Sequence, residues 1–365
     1  MKLAILISFS GHGGPERMVL NLAAHLSAGH HEVDLLTVRR ISPHLLGPIP
    51  SVNLVSLGTR HTWTSLFPLC RYLRRRRPHA LLAVKNRANL VAVAARAIAA
   101  PATRLVLREG TTPSAALAEA SPWRRWRHHL PMRWLYPKGD AIVAVSDGVR
   151  NDIAALTGLS PQRIAVIPNP VVTTDLLAQA AQPLDHPWFN AAALPVVLGV
   201  GRLTRQKDFP TLLRAFAAVR AQTPCRLVIL GEGRDRPALR SLARTLGISQ
   251  DVDLPGFSPN PYAYMARAGV FVLSSAWEGS PNVLTEALAL GTPVVGTDCP
   301  SGPREILQNG RFGRLVPVGR PAPMADAIGA ILAKPPSRRA PHEVLERFAA
   351  QESARRYLAV MTGEG

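Results

Sequence analysis

Short apolar runs of strand length alternate with segments of helical period along this chain, and after a proline-rich interruption the same alternation starts again. In the first half the pattern predicts strands over 2–9, 32–38, 79–84, 104–108 and 140–146, with helices over 15–28, 64–76, 87–99 and 147–157. The segment IAVIPNPVVTTDLLAQAAQPLDHP then breaks the rhythm with four prolines and reads as a linker. Beyond it come strands over 196–201, 226–231, 252–255, 270–274 and 293–297, helices over 209–221, 234–246 and 281–290, and an amphipathic helical stretch at 342–361. Phe209, Leu212, Leu213 and Phe216 mark one apolar stripe, and Pro281 follows Ser280 as a first-turn proline follows a cap. Such alternation builds a parallel sheet. The expectation is an α/β chain of two tandem Rossmann-like domains facing a central cleft. They span 1–170 and 195–340, joined by a linker over 171–194, with 341–365 a helix crossing back to the first domain. Ligands of such sheets bind beyond the carboxyl ends of the strands, which is where chemistry is to be sought.

Composition narrows the class further. At 365 residues the chain exceeds one average domain of about 100–200 residues, and 47% apolar against 18% charged residues excludes disorder. No apolar run approaches the roughly 18 residues of a membrane span, and LAILISF is strand-like in length, so neither a transmembrane segment nor a signal peptide is expected. Cys70, Cys225 and Cys299 are odd in number and far apart, which supports neither a disulfide framework nor a zinc site and fits a reducing cytoplasm. The net charge of +19 is concentrated before residue 171, where 22 basic residues face 8 acidic ones. Such a field suits anionic lipid, phosphorylated substrates or nucleic acid, and an arginine-rich genomic bias produces the same number.

At the strand ends, Ser10-Gly11-His12-Gly13-Gly14-Pro15-Glu16 opens the first helix with glycines that permit close backbone approach and free amides that favour an anion. The spacing is not GxGxxG, and a tight structural turn explains it equally well. After the first strand of the second half, Arg202 and Lys207 form a guanidinium and ammonium pair suited to a diphosphate, or two solvated loop charges. The stretch from Trp277 to Gly291 places Glu278 before a helix and Glu286 one turn beyond Asn282, with the amides of 282–284 as unpaired helix-start donors between them. Carboxylates bracketing an anion site suit a sugar nucleotide; ordinary first-turn acids are the alternative.

Together these residues carry a resemblance. VLGVGRLTRQKDFPTLLRAF, LVILGEG, VDLPGF, the E-x7-E element from Glu278 to Glu286 and LGTPVVGTDCPSGPREIL resemble the nucleotide-binding half of the retaining, GT-B-fold glycosyltransferases. That family includes phosphatidylinositol mannosyltransferases and lipopolysaccharide core glucosyltransferases. GGPERM, AIVAVSDGVR and VIPNPV are similar to its first half, so the likeness covers about nine-tenths of the chain. The resemblance implies that Arg202 and Lys207 bind the donor diphosphate, with Gly13 and Gly14 approaching it. It implies that Glu278 sits at the reacting carbon, that Gly279, Ser280, Pro281, Asn282 and Val283 hold sugar hydroxyls and the distal phosphate, that Glu286 accepts from the ribose, and that Pro255, Gly256 and Phe257 border the nucleobase. The implied reaction is transfer from a nucleoside-diphosphate sugar, UDP-sugar favoured, to a lipid-linked or polysaccharide-precursor acceptor with retention. No cofactor and no metal are expected, since the chain has no His/Cys cluster and cationic groups can meet the leaving charge. No carboxylate stands poised as nucleophile opposite a second acid, so a front-face mechanism is expected.

One departure concerns Leu107-Arg108-Glu109-Gly110, where many members carry a histidine. Glu109 there resembles a subgroup associated with amino-sugar and polysaccharide-building transferases; it contacts a donor hydroxyl, acts on the acceptor, or pairs with Arg108 or Arg87. The arginines of Arg71–Arg77 and the mixture of Trp and Arg over Trp123–Trp134 have the composition of a surface lying on anionic lipid. Helix-end arginines on a carbonyl dipole and tryptophans partly in the core are the alternative. A peripheral enzyme on the inner face of the cytoplasmic membrane follows as the expectation. Nucleic acid is not an expected partner, because no recognition motif accompanies the charge. An epimerase or sugar-phosphate synthase of the same fold, acting on a soluble substrate, is the nearer rival.

Overall fold

The structure, a computed structural model, describes residues 1–9, 13–38, 51–190 and 194–364. The chain divides into two units, the first comprising Met1–Val171 and Phe348–Gly365, the second Val172–Arg347.

KLAILI, the strand β1 (Lys2–Ile7), is apolar at every position after its first, as a strand must be when both faces of its sheet are covered. It is an interior strand of a parallel sheet with β2 (Glu32–Thr37), β3 (Val52–Ser56), β4 (Ala80–Val84), β5 (Arg104–Glu109), β6 (Ala141–Ala144) and β7 (Ile164–Val166). Their order is β3-β2-β1-β4-β5-β6-β7, so the topology reverses between β1 and β4. Alternate residues serve two cores. Leu3, Ile5, Ile7, Leu82 and Val106 meet the helix Gly14–Ala28 and the helix Ala350–Thr362, while Ala4, Leu6, Leu81 and Leu107 meet the helices Leu66–Arg76, Asn86–Ala99 and Asp147–Thr157. Tyr357 and Met361 of Ala350–Thr362 are buried in the first of these cores.

The second unit repeats the plan with β8 (Val196–Val200), β9 (Arg226–Leu230), β10 (Val252–Gly256), β11 (Val270–Leu273), β12 (Val294–Thr297) and β13 (Arg314–Val316). All pairings are parallel and the order is β10-β9-β8-β11-β12-β13, with the reversal between β8 and β11. In each unit every loop that follows a strand therefore leaves the same edge of its sheet.

Several elements differ from the sequence-based expectation. The stretch over 171–194 is not an open linker: its described part holds the helix Thr174–Ala181, started by the Thr173 hydroxyl accepting from the Leu176 amide at 3.2 Å. Asn260 and Arg267 donate to the carbonyls of Gln179 and Ala180, which tie that helix to Pro261–Arg267. His186 then packs its ring against Trp188, Phe189 and Tyr264 and meets Asp253 at 3.1 Å. The helical stretch at 342–361 is two helices, His342–Arg347 and Ala350–Thr362, because the Phe348 carbonyl accepts from Val171 and Ala349 is extended. β3 went unmarked because it is an edge strand with largely exposed side chains. The helix Pro321–Ala333 had a readable signal in Pro321 and the spacing of Met324, Ile328 and Ile331, all buried in the second unit's core. No helix among the described residues is long and apolar enough to cross a membrane.

Candidate functional site

In the second unit the loops after β8 and β9 interlock through backbone. Gly231 has φ +137°, and a Cβ there would lie 1.9 Å from the Gly201 carbonyl oxygen; a Cβ on Gly233 would lie 2.2 Å from that of Leu203. Only glycine satisfies both demands at Gly231. The Leu203 amide in turn donates to the Glu232 carbonyl at 2.9 Å. This fixes the turn Arg205–Lys207, which leads into the helix Phe209–Arg220.

Lys207 is not a solvated loop charge. Its Nζ lies 2.5 Å from Glu278 Oε1, both side chains are largely buried, and the Ser275 hydroxyl donates to the same oxygen at 2.7 Å. Gln206 reinforces the junction, donating from Nε2 to the Trp277 carbonyl and accepting at its own carbonyl from the Ala276 amide. The loops after β8 and β11 are thus joined by a buried ion pair between residues 71 positions apart. Spacing alone carried no signal of it. Arg202 is exposed, with no ion-pair partner among the described residues. Cys299 lies beside the pair, its thiol pushed up to about 12 by burial and then by the Glu278 charge.

Gly279 and Pro281 are packed from the loop after β12. The Ser301 hydroxyl donates to the Gly279 carbonyl at 3.0 Å, and Gly302, at φ +94°, leaves no space for a Cβ against Pro281 and Gly279. The helix begins at Asn282 with Pro281 as its extended cap, one residue later than expected, so Ser280 is not the cap. The Leu284 amide is satisfied by the Pro281 carbonyl at 3.1 Å, which removes it from the three expected helix-start donors. Val283 follows in the first turn, and Glu286, buried on that helix, accepts from the Tyr262 hydroxyl at 3.3 Å. Gly256 ends β10 at φ +104°, and a Cβ would meet Glu232 Oε1 at 2.6 Å. Glu232 is gripped there by Arg236 Nη2 and Nε, at 2.8 and 3.1 Å, a clamp missed in the sequence. Phe257 beyond it is 42% exposed.

In the first unit Gly13 is the extended cap and Gly14 the first residue of the helix Gly14–Ala28; Ser10, Gly11 and His12 lie outside the described residues. Glu16 is buried and meets Lys85 Nζ at 2.7 Å, and Lys85 also donates to the Ser8 carbonyl. Lys85 holds φ +81° to make these contacts from the end of β4. A lone lysine after a strand had not marked itself as a partner of the glycine loop.

Glu109 ends β5 and is 3% exposed. It pairs with neither Arg108 nor Arg87: Arg108 sends Nε to the Tyr357 hydroxyl and Nη2 to Asn169 Oδ1, and Arg87 is exposed. Glu109 instead accepts from the Tyr136 hydroxyl at 2.9 Å. Burial pushes its carboxyl up to about 7, against the lowering effect of the Tyr136 hydrogen bond and of the nearby Arg108 charge.

In the two cationic stretches one arginine departs from the expected surface. Arg76 folds back onto Asp34 and Glu32, while Arg71, Arg74, Arg75 and Arg77 are exposed with Trp63 and Phe67. The cluster over Trp123–Trp134 is a helix, Pro122–Leu135, whose tryptophans are not in the core. Trp123, Trp126 and Trp134 are each more than half exposed, and Trp123 stacks on Trp126 at 4.9 Å. Among the described residues no three His, Cys, Asp or Glu side chains are grouped to hold a metal ion.

Comparison with known proteins agrees with this architecture. Residues 194–334 match the family Glycosyl transferases group 1, and residues 12–175 match Glycosyltransferase Family 4. A Campylobacter jejuni relative, N-acetylgalactosamine-N,N'-diacetylbacillosaminyl-diphospho-undecaprenol 4-alpha-N-acetylgalactosaminyltransferase, is 34% identical over 342 residues, covering 91% of this chain and 90% of that one. The Rhizobium meliloti lipopolysaccharide core biosynthesis glycosyltransferase LpsE is 34% identical over 194 residues, 53% of this chain and 54% of its own. Among solved structures, the apo lipopolysaccharide outer core galactosyltransferase WaaB superposes with a TM-score of 0.72 at 21% identity, covering 100% of both chains. Anabaena HepE in complex with UDP gives 0.71 at 19%, covering 100% of this chain and 98% of that one. The two parallel sheets are thus those of the GT-B fold, and the chain belongs to the glycosyltransferases of group 1 and family 4.

Proposed function

We propose that this glycosyltransferase moves a hexosyl or N-acetylhexosaminyl unit from a nucleoside-diphosphate sugar, UDP-sugar favoured, to a lipid-linked or polysaccharide-precursor acceptor, with retention and without a metal ion. The observation that carries this reading is the buried Lys207–Glu278 pair at the C-terminal edge of the second sheet, with Arg202 exposed in the same loop as Lys207. A cation already anchored by a carboxylate is preorganised to meet the charge of a departing diphosphate, and fixed dipoles act without reorganisation. In this reading Arg202 and Lys207 hold the diphosphate and Glu278 meets the donor sugar. Gly279, Ser280, Pro281, Asn282 and Val283 hold sugar hydroxyls and phosphate, Glu286 takes the ribose, and Gly256 and Phe257 border the base. In the first unit Gly13 and Gly14 are assigned to backbone contact with phosphate, and Glu109 to a substrate hydroxyl. The leaving phosphate takes the acceptor proton on the same face.

The acceptor class is drawn from the relative whose name specifies a diphospho-undecaprenol-linked sugar, and the base from structural neighbours solved in complex with UDP. The exposed tryptophans of Pro122–Leu135 and the exposed arginines of Leu66–Arg76 support attachment to an anionic membrane surface, proposed as the cytoplasmic face. A thermal-shift panel of UDP, GDP, ADP and their sugar conjugates, with and without EDTA, tests the donor site. A selective shift by a uridine nucleotide, unchanged by EDTA and weakened in Glu286→Ala, is the expected result. A shift that EDTA abolishes would overturn metal independence, and equal shifts in wild type and Glu286→Ala would overturn the ribose assignment.

A further inference from the structure

We infer that Tyr136, backed by Asn89, is a positioning residue that presents the Glu109 carboxylate at the end of β5 in its ionised, hydrogen-bond-accepting form. The inference rests on the proposed role of Glu109 and adds what makes that role workable.

A buried carboxylate without a cation in contact needs hydrogen bonds to stay charged. Among the described residues no cation is in contact with Glu109: the neighbouring Arg108 sends Nε to Tyr357 and Nη2 to Asn169, and its Nη1 has no hydrogen-bond partner. The other charge that acts on it is Asp152 of the helix Asp147–Thr157, which repels and is itself held by the Ser114 amide and hydroxyl. Among the described residues two donors remain: the Gly110 amide at 3.3 Å on Oε1, and the Tyr136 hydroxyl at 2.9 Å on Oε2.

Tyr136 is placed to do this one task. It is fully buried, just beyond the helix Pro122–Leu135. A phenol donates only once, and its oxygen already accepts from Asn89 Nδ2 at 3.0 Å, which turns the single proton toward Glu109. Asn89, also fully buried, is fixed in turn, since the same Nδ2 donates to the Arg108 carbonyl at 3.1 Å and its amide donates to the Lys85 carbonyl. Three elements far apart in sequence thus converge on one carboxylate. Burial has moved Glu109 to about 7, so at neutral pH its charge state depends on whether this donor is present.

The test is Tyr136→Phe in the full chain, an isosteric change that removes only the proton donor. With a donor and acceptor pair that turns over, the acid limb of the kcat/KM profile is expected to move up by about one pH unit, a roughly tenfold loss below pH 7 that recovers at high pH. Glu109→Gln is expected to lower activity at every pH and to flatten the limb. Infrared difference spectra of wild type minus Glu109→Gln report the carboxyl titration directly, without substrate, and its midpoint is expected to rise in Tyr136→Phe. Where Tyr136→Phe fails to fold, Asn89→Leu frees the phenol and is expected to give a smaller shift in the same direction. A Tyr136→Phe profile and infrared midpoint superimposed on wild type, with Glu109→Gln inactive, overturns the positioning inference and leaves Glu109 in place. Wild-type turnover in Glu109→Gln overturns the Glu109 reading itself.

Discussion

The Lys207–Glu278 pair yields the sharpest prediction. Nζ and Oε1 are 2.5 Å apart, and only 14% and 8% of the two side chains are exposed. Removing one partner from a pair so buried leaves an uncompensated charge and costs about 3–5 kcal/mol. Glu278→Gln strands the ammonium in the junction between two loops. Lys207→Met strands a carboxylate whose identified partners include the Ser275 hydroxyl and whose neighbour is the Cys299 thiol. The double variant removes both charges at once. Its destabilisation is therefore expected to fall short of the sum of the single effects by about 2–3 kcal/mol, the upper range for contacting residues. Urea denaturation of the four proteins at one pH measures the coupling. A coupling within about 0.5 kcal/mol of zero, the scatter of independent sites, would refute the claim that the ion pair joins the two loops.

Other expectations follow from equally specific geometry. Because the folded carboxyl of Glu109 titrates at about 7 rather than the ordinary 4.5, the folded state holds the proton more tightly. Wild-type stability should then decline relative to Glu109→Gln as pH rises through that window, by about 3 kcal/mol in all; denaturation curves that stay parallel from pH 4.5 to 8 would contradict it. Gly231→Ala should destabilise by more than about 3 kcal/mol, since the new methyl would lie 1.9 Å from the Gly201 oxygen at φ +137°; calorimetry giving an unchanged Tm would show that the β8 and β9 loops yield. Sedimentation with phosphatidylglycerol vesicles should be reduced several-fold in a Trp123→Ala, Trp126→Ala double variant and in 1 M salt, and equal binding by wild type and variant would remove the helix Pro122–Leu135 from the membrane face.

What could be read ahead of the structure was what local chemistry encodes. KLAILI declares a strand covered on both faces, and Phe209, Leu212, Leu213 and Phe216 declare a helix. The strand-end positions of Arg202, Glu278 and Glu109 followed from the same rhythm. Partnerships did not, because they are set by topology. Lys207 reaches Glu278 only since β8 and β11 are neighbours at the point where strand order reverses. Likewise Tyr136 reaches Glu109 only since β6, the strand that follows its turn, pairs with β5. Nor did composition tell that Trp123, Trp126 and Trp134 stand in solvent, because tryptophan at helical spacing suits a core as well as a surface.

The helix Ala350–Thr362 has a consequence for how the chain is made. It completes the first unit, yet all of Val172–Arg347 is synthesised before it. At a translation rate of about 5–20 residues per second, the face that Tyr357 and Met361 will cover stays open for roughly 10–35 s after Val171 has been made. Throughout that interval the nascent first unit shows an uncovered apolar groove, while the second unit emerges with all of its own strands and can finish first. Emergence of the helix Ala350–Thr362, rather than collapse of the first half, then sets the moment at which the first unit becomes whole, and a chaperone that binds apolar surface has its opening in that window.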